Sequence, residues 1–147
     1  MTLAEVREEL EMVRKLERAK NNAYEMADDF EKKLMSGKSV SYESNGESHE
    51  KKGNPVANAY DYLFKLREDA ERFEHCYLTA YKRAQEIIKL APNSKQQEVL
   101  KRCYLMGKRP EEIARHMHYS TDHVNHLKMW GLKACAENMT RNDKQKH

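Results

Sequence analysis

The chain has 147 residues and a net charge of +3, with 35% charged residues and 39% apolar ones. This length fits one domain, or one domain with an appendage. Only 5 Gly and 3 Pro favour long solvated helices over sandwiches or barrels, so we expect an all-α fold. The acidic N-terminus has no signal pattern and no apolar run is long enough to span a membrane, which predicts a cytoplasmic protein without membrane contact. Three cysteines without a C-x-x-C pair predict reduced thiols rather than disulfides.

Residues 1–34 predict a first long helix. Thr2-Leu3-Ala4-Glu5 has the form of a capping box, in which the threonine and glutamate side chains satisfy free backbone amides at a helix start. Apolar residues then recur every three or four positions and form one stripe along the helix. The stripe consists of Leu3, Val6, Leu10, Val13, Leu16, Ala19, Ala23, Met26, Phe30 and Leu34.

Residues 35–54 interrupt this periodicity and predict a flexible polar loop. Five serines and three of the five glycines of the chain fall here, with only Val40 and Tyr42 suited to burial. Asn54 and Pro55 then predict the start of a second helix, because Asn is a good N-cap and proline is favoured at the first helical position.

Residues 55–91 predict a second long helix with a heptad seam. Apolar residues alternate three and four positions apart from Val56 to Ala91, which is the spacing of buried a and d positions. The simplest partner for the seam is the first helix, folded back as an antiparallel hairpin. Self-association or a docked third element is the alternative, because Tyr60 and Phe64 flank the seam and a hairpin leaves it half covered. The seam residues selected as hairpin or oligomer contacts are Val56, Leu63, Leu66, Phe73, Tyr77 and Ile87.

The positive charge is concentrated in the C-terminal third. Residues 92–147 carry 11 Lys and Arg against 6 Asp and Glu, whereas residues 1–34 carry 7 against 9. Residues 35–54 and 55–91 are each balanced. A basic segment in an otherwise neutral chain indicates that the C-terminal part binds a polyanion. The last residues, 140–147, are polar and predict a disordered tail.

Residues 92–139 fit a helix-turn-helix module. A capping box at Ser94 predicts one helix, a short helix follows over 110–117, and another runs over about 121–137. The apolar slots that hold two crossing helices at a fixed angle are all filled. These slots are Ile113, Ala114, Met117, Tyr119, Val124 and Leu127. His118 stands where glycine is usual for a left-handed turn, a conformation that histidine tolerates better than most residues.

Two runs of residues give this module a family resemblance. They are Gly107-Lys108-Arg109-Pro110-Glu111-Glu112-Ile113-Ala114 and Tyr119-Ser120-Thr121-Asp122-His123-Val124, the latter followed by Leu127, Leu132 and Lys133. The segment from Ser94 through Met139 thereby resembles region four of bacterial sigma factors. With the long helices and polar loop, the chain resembles small phage and prophage transcriptional regulators of the ArpU and RinA type, which implies a DNA-binding regulator of phage genes. Gly131 departs from the pattern, because alanine is usual there and glycine weakens a helix by around 1 kcal/mol.

A second helix lying in a DNA major groove would present its outward side chains to base edges. The candidate base-contacting residues are Thr121, Asp122, His123, Asn125, His126 and Met129. Asn can form two hydrogen bonds with adenine, His can donate to guanine or to phosphate, and Asp can accept from the amine of cytosine. The candidate phosphate-contacting residues are Lys108, Arg109, Arg115, Lys128 and Lys133. Trp130 and Tyr104 are expected to cover the core rather than to stack on bases.

These features favour a double-stranded DNA-binding transcriptional regulator of phage type, with a helical hairpin that forms a homodimer or contacts host RNA polymerase. Two alternatives stay open: a ring-forming small terminase subunit, and an interaction protein whose hairpin inhibits a host factor. The sequence has no phosphate-binding loop or nucleophile elbow, so we expect neither enzymatic activity nor a cofactor. Four histidines between His116 and His126 lack zinc-ligand spacing, so we expect no metal site.

Overall fold

The structure is a computed structural model that describes residues 1–37 and 55–145. Every secondary-structure element in these two ranges is helical, so the predicted all-α class is confirmed. The helices are α1 (Leu3–Met35), α2 (Pro55–Ile88), α3 (Ser94–Leu100), α4 (Pro110–Met117) and α5 (Thr121–Gln145), and a π-helical segment (Lys101–Leu105) directly follows α3. None of these helices combines the length and the apolar character that a membrane span requires.

The chain divides into two compact units, and both long helices contribute to each of them. The terminal unit consists of Met1–Leu16 and Cys76–His147, and the middle unit consists of Glu17–His75. The loop prediction for residues 35–54 falls largely on residues 38–54, which lie outside the described residues. Helix α2 begins at Pro55, where the sequence predicts it.

The core of the terminal unit contains residues of α1, α2, α3, the π-helical segment and α5. Its fully buried side chains include Leu10 of α1, Ile87 of α2, Leu100 of α3 and Leu132 of α5. Glu9 and Arg83 form an ion pair at 3.2 Å between the first turns of α1 and the last turns of α2. The capping box at the start of α1 is confirmed in part, because the amide of Glu5 donates to the hydroxyl of Thr2 at 3.2 Å.

The middle unit has a smaller core. Ala27, Phe30, Ala59 and Leu63 form its buried cluster, and the rings of Phe30 and Tyr62 meet edge to face at 5.1 Å between centroids. Polar pairs join the same two helix segments, since Glu31 contacts Arg67 and the Tyr24 hydroxyl donates to the Glu74 carboxylate. That hydrogen bond raises the pKa of Tyr24 to about 12.

The structure corrects the predicted apolar stripe of α1 at one position and that of α2 at two positions. In α1 the predicted stripe includes Met26, but Met26 is exposed and its neighbour Ala27 is buried instead. Ala27 lies three residues before the buried Phe30 and therefore on the same side of the helix. In the α2 seam, Leu63 and Ile87 are buried and Leu66 and Tyr77 are half-buried. Val56 and Phe73 are exposed, because the two cores take up only the parts of the stripe around Leu63 and around Ile87.

The C-terminal helix is longer than predicted, so the expected disordered tail over residues 140–147 is wrong as far as Gln145. Residues 146 and 147 lie outside the described residues. Contacts distant in sequence hold the extra turns in place. The side-chain amide of Asn138 donates to the Leu90 carbonyl at 2.7 Å, and Met139 is buried in the core of the terminal unit. The N-terminal ammonium lies 3.4 Å from the Thr140 hydroxyl.

Helix α3 differs from the prediction at its start, where the cap lies one residue earlier. Its N-cap is Asn93, whose side chain accepts from the Lys95 amide at 2.8 Å, and Ser94 is already helical. After Leu100 the backbone hydrogen bonds change from the α pattern to the π pattern, in which the bonded residues are five positions apart. Leu105, the last residue of this segment, is buried. Gly107 ends the segment with a φ of +69°, the positive value expected for a residue that follows a helix.

Candidate nucleic-acid interface

Helices α4 and α5 are held together by a small apolar core of their own. Val99 from α3 completes this cluster. Its buried members are Val99, Ile113, Ala114, Val124 and Leu127, and Cys103, Met117 and Tyr119 pack against them half-buried. All six predicted apolar slots therefore face this cluster. This packing holds α4 against the first turns of α5, and the later turns of α5 contribute Leu132 and Met139 to the core of the terminal unit.

The turn between α4 and α5 depends on a single left-handed residue. His118 has φ 60° and ψ 42°, and among the described residues no other non-glycine has a positive φ. Its amide donates to the Ala114 carbonyl, and the next amide, of Tyr119, donates to the same oxygen at 2.9 Å. This closes the last turn of α4 and redirects the chain into α5.

The start of α5 is capped as predicted. The hydroxyl of Ser120 accepts from the amide of His123 at 3.1 Å, and the Ser120 carbonyl accepts from Val124 at 3.1 Å. Asp122 lies in the first turn, where a carboxylate favours the positive end of the helix dipole. The first turn of α5 is therefore locally stabilised before any partner binds.

Gly131 allows α5 to approach α3 closely. A Cβ atom at this position would lie 3.0 Å from Cδ1 of Leu100 and 3.4 Å from Cβ of Gln96. Leu100 is fully buried, so it has little room to move away. A glycine at position 131 thus has a packing reason in this chain.

The candidate base-contacting residues share one side of α5 only in part. Asp122, Asn125, His126 and Met129 are spaced by three and four residues and are exposed, so they form one face over the first turns. His123 is half-buried and its ring meets the ring of Tyr119 edge to face at 4.7 Å. Thr121 is also half-buried, at the first position of the helix.

Trp130 extends this surface, which corrects the expectation that it covers the core. Its side chain is 50% exposed, and its ring stacks on the ring of His126 at 5.6 Å with an angle of 17° between the planes. Tyr104 behaves as expected, since it is buried in the core of the terminal unit. The difference follows from register, because Trp130 lies one turn beyond His126 on the outward side of α5.

The candidate phosphate-contacting residues separate into two groups. Lys108, Arg109, Arg115 and Lys133 are exposed. Lys128 is instead directed towards the π-helical segment, with its amine 5.2 Å from the centroid of the Tyr104 ring.

Two side chains near Lys128, the half-buried Cys103 and the buried Tyr104, have raised pKa values. Burial raises the pKa of Cys103, an effect that the charge of Lys128 partly offsets. Burial also raises the pKa of Tyr104.

Three arginines near the module were missed by sequence reasoning. Arg7 of α1 has Nη2 3.8 Å from the sulfur of Met129, so it adds a positive charge beside the exposed face of α5. Arg14 donates to the Leu105 carbonyl at 3.3 Å. Arg102 has Nη2 2.6 Å from Nε2 of His116 and also pairs with Glu98. No local signal predicts the first two, because α1 lies about 90 residues or more before its contacts in the sequence.

Comparisons with known protein families, with curated proteins and with solved structures find no match to this chain. Within residues 1–37 and 55–145, no group of three or more His, Cys, Asp or Glu side chains is arranged to hold a metal ion.

Proposed function

We propose that this chain is a transcriptional regulator of phage type that binds double-stranded DNA with α5 in the major groove. The observation that carries the proposal is the pair α4 and α5, packed on α3 and joined through the left-handed residue His118. Two helices joined by a tight turn are what this function requires, because a helix-turn-helix presents the second of its two helices to the major groove of DNA. The resemblance to region four of sigma factors supports the same function.

The exposed face of α5 offers chemistry suited to base edges. Asn125 can form two hydrogen bonds with adenine, and His126 can donate to the acceptors of guanine. Asp122, one turn earlier, can accept from the amine of cytosine. These side chains are exposed in the first turns of α5, which is the part of a recognition helix that enters the groove.

The cations around this face are suited to the phosphate backbone. Lys108 and Arg109 precede the first residue of α4, Lys133 lies further along α5, and all three are exposed. Such contacts give affinity without sequence preference and make binding weaken as salt is raised. Lys128 is left out of this set because its amine lies over the Tyr104 ring.

The experiment is a fluorescence anisotropy titration of the full chain with labelled duplex DNA, first with a random pool and then with a sequence selected from it. We expect Lys133→Ala to weaken binding to every sequence and to lower the slope of log K against log salt by about 1. Lys128→Ala is the matched control in the same helix, and it should leave the slope unchanged. Lys65→Ala removes one positive charge from the middle unit, and it shows how much of the effect of Lys133→Ala is due to the change in net charge alone.

Asn125→Ala tests base recognition separately. On the selected sequence it should weaken binding about 5- to 150-fold, which corresponds to about 1–3 kcal/mol, and it should leave binding to random DNA nearly unchanged. Absent binding, or binding that does not respond to salt, contradicts the proposal and favours the interaction protein. A salt slope lowered by Lys128→Ala but not by Lys133→Ala contradicts the assigned face.

A further inference from the structure

A row of aromatic rings lies along one side of α5 in the terminal unit. His123, His126 and Trp130 are spaced by three and four residues, so they follow one another on neighbouring turns of the helix. Tyr119, just before the helix, extends the row through its edge-to-face contact with His123 at 4.7 Å. At the other end the rings of His126 and Trp130 lie nearly parallel. We call these four residues the aromatic row, and two of them, Tyr119 and Trp130, have no part in the DNA contacts proposed above.

Positive charges lie beside the aromatic row. The amine of Lys95 lies 5.8 Å from the centroid of the Tyr119 ring. Lys133 is exposed on the turn that follows the last ring. Asp122 and Glu137 border the row, and no acidic residue lies between them along α5. A ligand that fits this surface therefore combines flat apolar faces with negative charge.

We propose that the aromatic row binds single-stranded nucleic acid, with unpaired bases stacked on its rings and phosphates held by the neighbouring lysines. The bases of a single strand offer flat faces, which aromatic side chains, histidine included, bind by stacking. The phosphates that join the bases supply the negative charge. In an intact duplex the base faces are covered by their neighbours, and a protein reads base edges in a groove. This binding mode therefore differs from the one proposed above.

Trp130 is the member of the aromatic row best suited to take a base. Its side chain is 50% exposed, whereas Tyr119 and His123 are half-buried. The contact with His126, at 5.6 Å between centroids and 17° between planes, holds the indole in one orientation before a ligand binds. A flat ligand can extend such an ordered stack with little further loss of conformational entropy.

The fluorescence of Trp130 reports directly on this surface, because Trp130 is the only tryptophan of the chain. Titration of the full chain with oligothymidylate of about 12 nucleotides should quench the emission, since a thymine stacked on the indole removes its excited state. An abasic oligonucleotide of the same length is the matched ligand, because it keeps the phosphates and lacks the bases. It should bind more weakly and quench little.

Substitutions test the stacking with a labelled oligothymidylate, by fluorescence anisotropy. Trp130→Ala should weaken binding about 5- to 150-fold, the range found when one base–aromatic stack is removed. Trp130→Phe keeps a ring and should retain most of the affinity. Phe64→Ala is the matched control, because it removes an exposed aromatic side chain from the middle unit, and it should have no effect. All three variants should keep the helicity of the unaltered chain by circular dichroism.

The same method separates the two binding modes. Asn125→Ala should leave the affinity for oligothymidylate unchanged, since the asparagine is assigned to base edges in a duplex. Trp130→Ala should change the affinity for duplex DNA much less than the affinity for the single strand. The reason is that Trp130 lies about two and a half turns after the first residue of α5, whereas the first turns of a recognition helix read the bases.

Three outcomes overturn the inference. Oligothymidylate could bind no more tightly than the abasic oligonucleotide, or its binding could be unaffected by Trp130→Ala. The emission of Trp130 could also shift to shorter wavelength as the protein concentration is raised without nucleic acid, which would mean that a second copy of the chain covers the ring. The inference does not depend on duplex binding, so failure of either test leaves the other result standing.

Discussion

His118 shows how a single residue governs the orientation of α5. A left-handed conformation costs an L-residue about 1–2 kcal/mol relative to glycine, and the turn between α4 and α5 requires it here. Glycine relieves that strain, although it also gives the unfolded chain more freedom. The native histidine is therefore not the most stable choice for this backbone.

We expect His118→Gly to stabilise the protein by about 0.5–1 kcal/mol, measured by urea unfolding followed by circular dichroism. The matched control is Arg115→Gly, an exposed position in the right-handed part of the same helix, which should lose about 1 kcal/mol. Opposite signs at two positions three residues apart would isolate the backbone effect. A loss of stability at His118 would show that its side chain has a structural role that outweighs the strain.

At the scale of whole elements, local signals predict where helices begin better than where they end. Pro55, Pro110 and Thr121 start helices as predicted, because prolines and capping side chains act within a few residues. The end of α5 depends on Leu90 and Met1, which are distant in sequence, and so the polar composition of residues 140–147 was misleading. The sequence also failed to predict the exposure of Trp130, because aromatic residues are usually buried.

The last turns of α5 provide a test of this long-range anchoring. Met139 is only 8% exposed and packs in the core of the terminal unit. Met139→Ala should therefore lower the free energy of unfolding by about 2 kcal/mol. Lys144→Ala, in the same helix but exposed, should change stability by less than about 0.5 kcal/mol. Thermal or urea unfolding by circular dichroism measures both. Equal, small effects would mean that the packing of Met139 contributes nothing to the stability of the core.

At the scale of the molecule, the two units differ in how much they bury. The terminal unit has a continuous core with large, fully buried side chains such as Leu10, Ile88 and Leu100, whereas the middle unit buries mainly alanines beside Phe30 and Leu63. Local opening free energies rise with buried apolar contact. The sequence predicted both long helices but not this contrast, because the apolar stripes of α1 and α2 keep the same spacing in both units while burial depends on what packs against them.

This contrast predicts two classes of amide protection in hydrogen exchange followed by mass spectrometry. Peptides from the middle-unit helices should exchange at least about tenfold faster than peptides around Leu100 and Leu132, because fewer large side chains must be exposed to open them. Peptides around Leu132 serve as the internal reference for slow exchange. Uniform protection across both units would contradict this prediction, and the small core of Ala27, Phe30, Ala59 and Leu63 would then suffice to stabilise the middle unit.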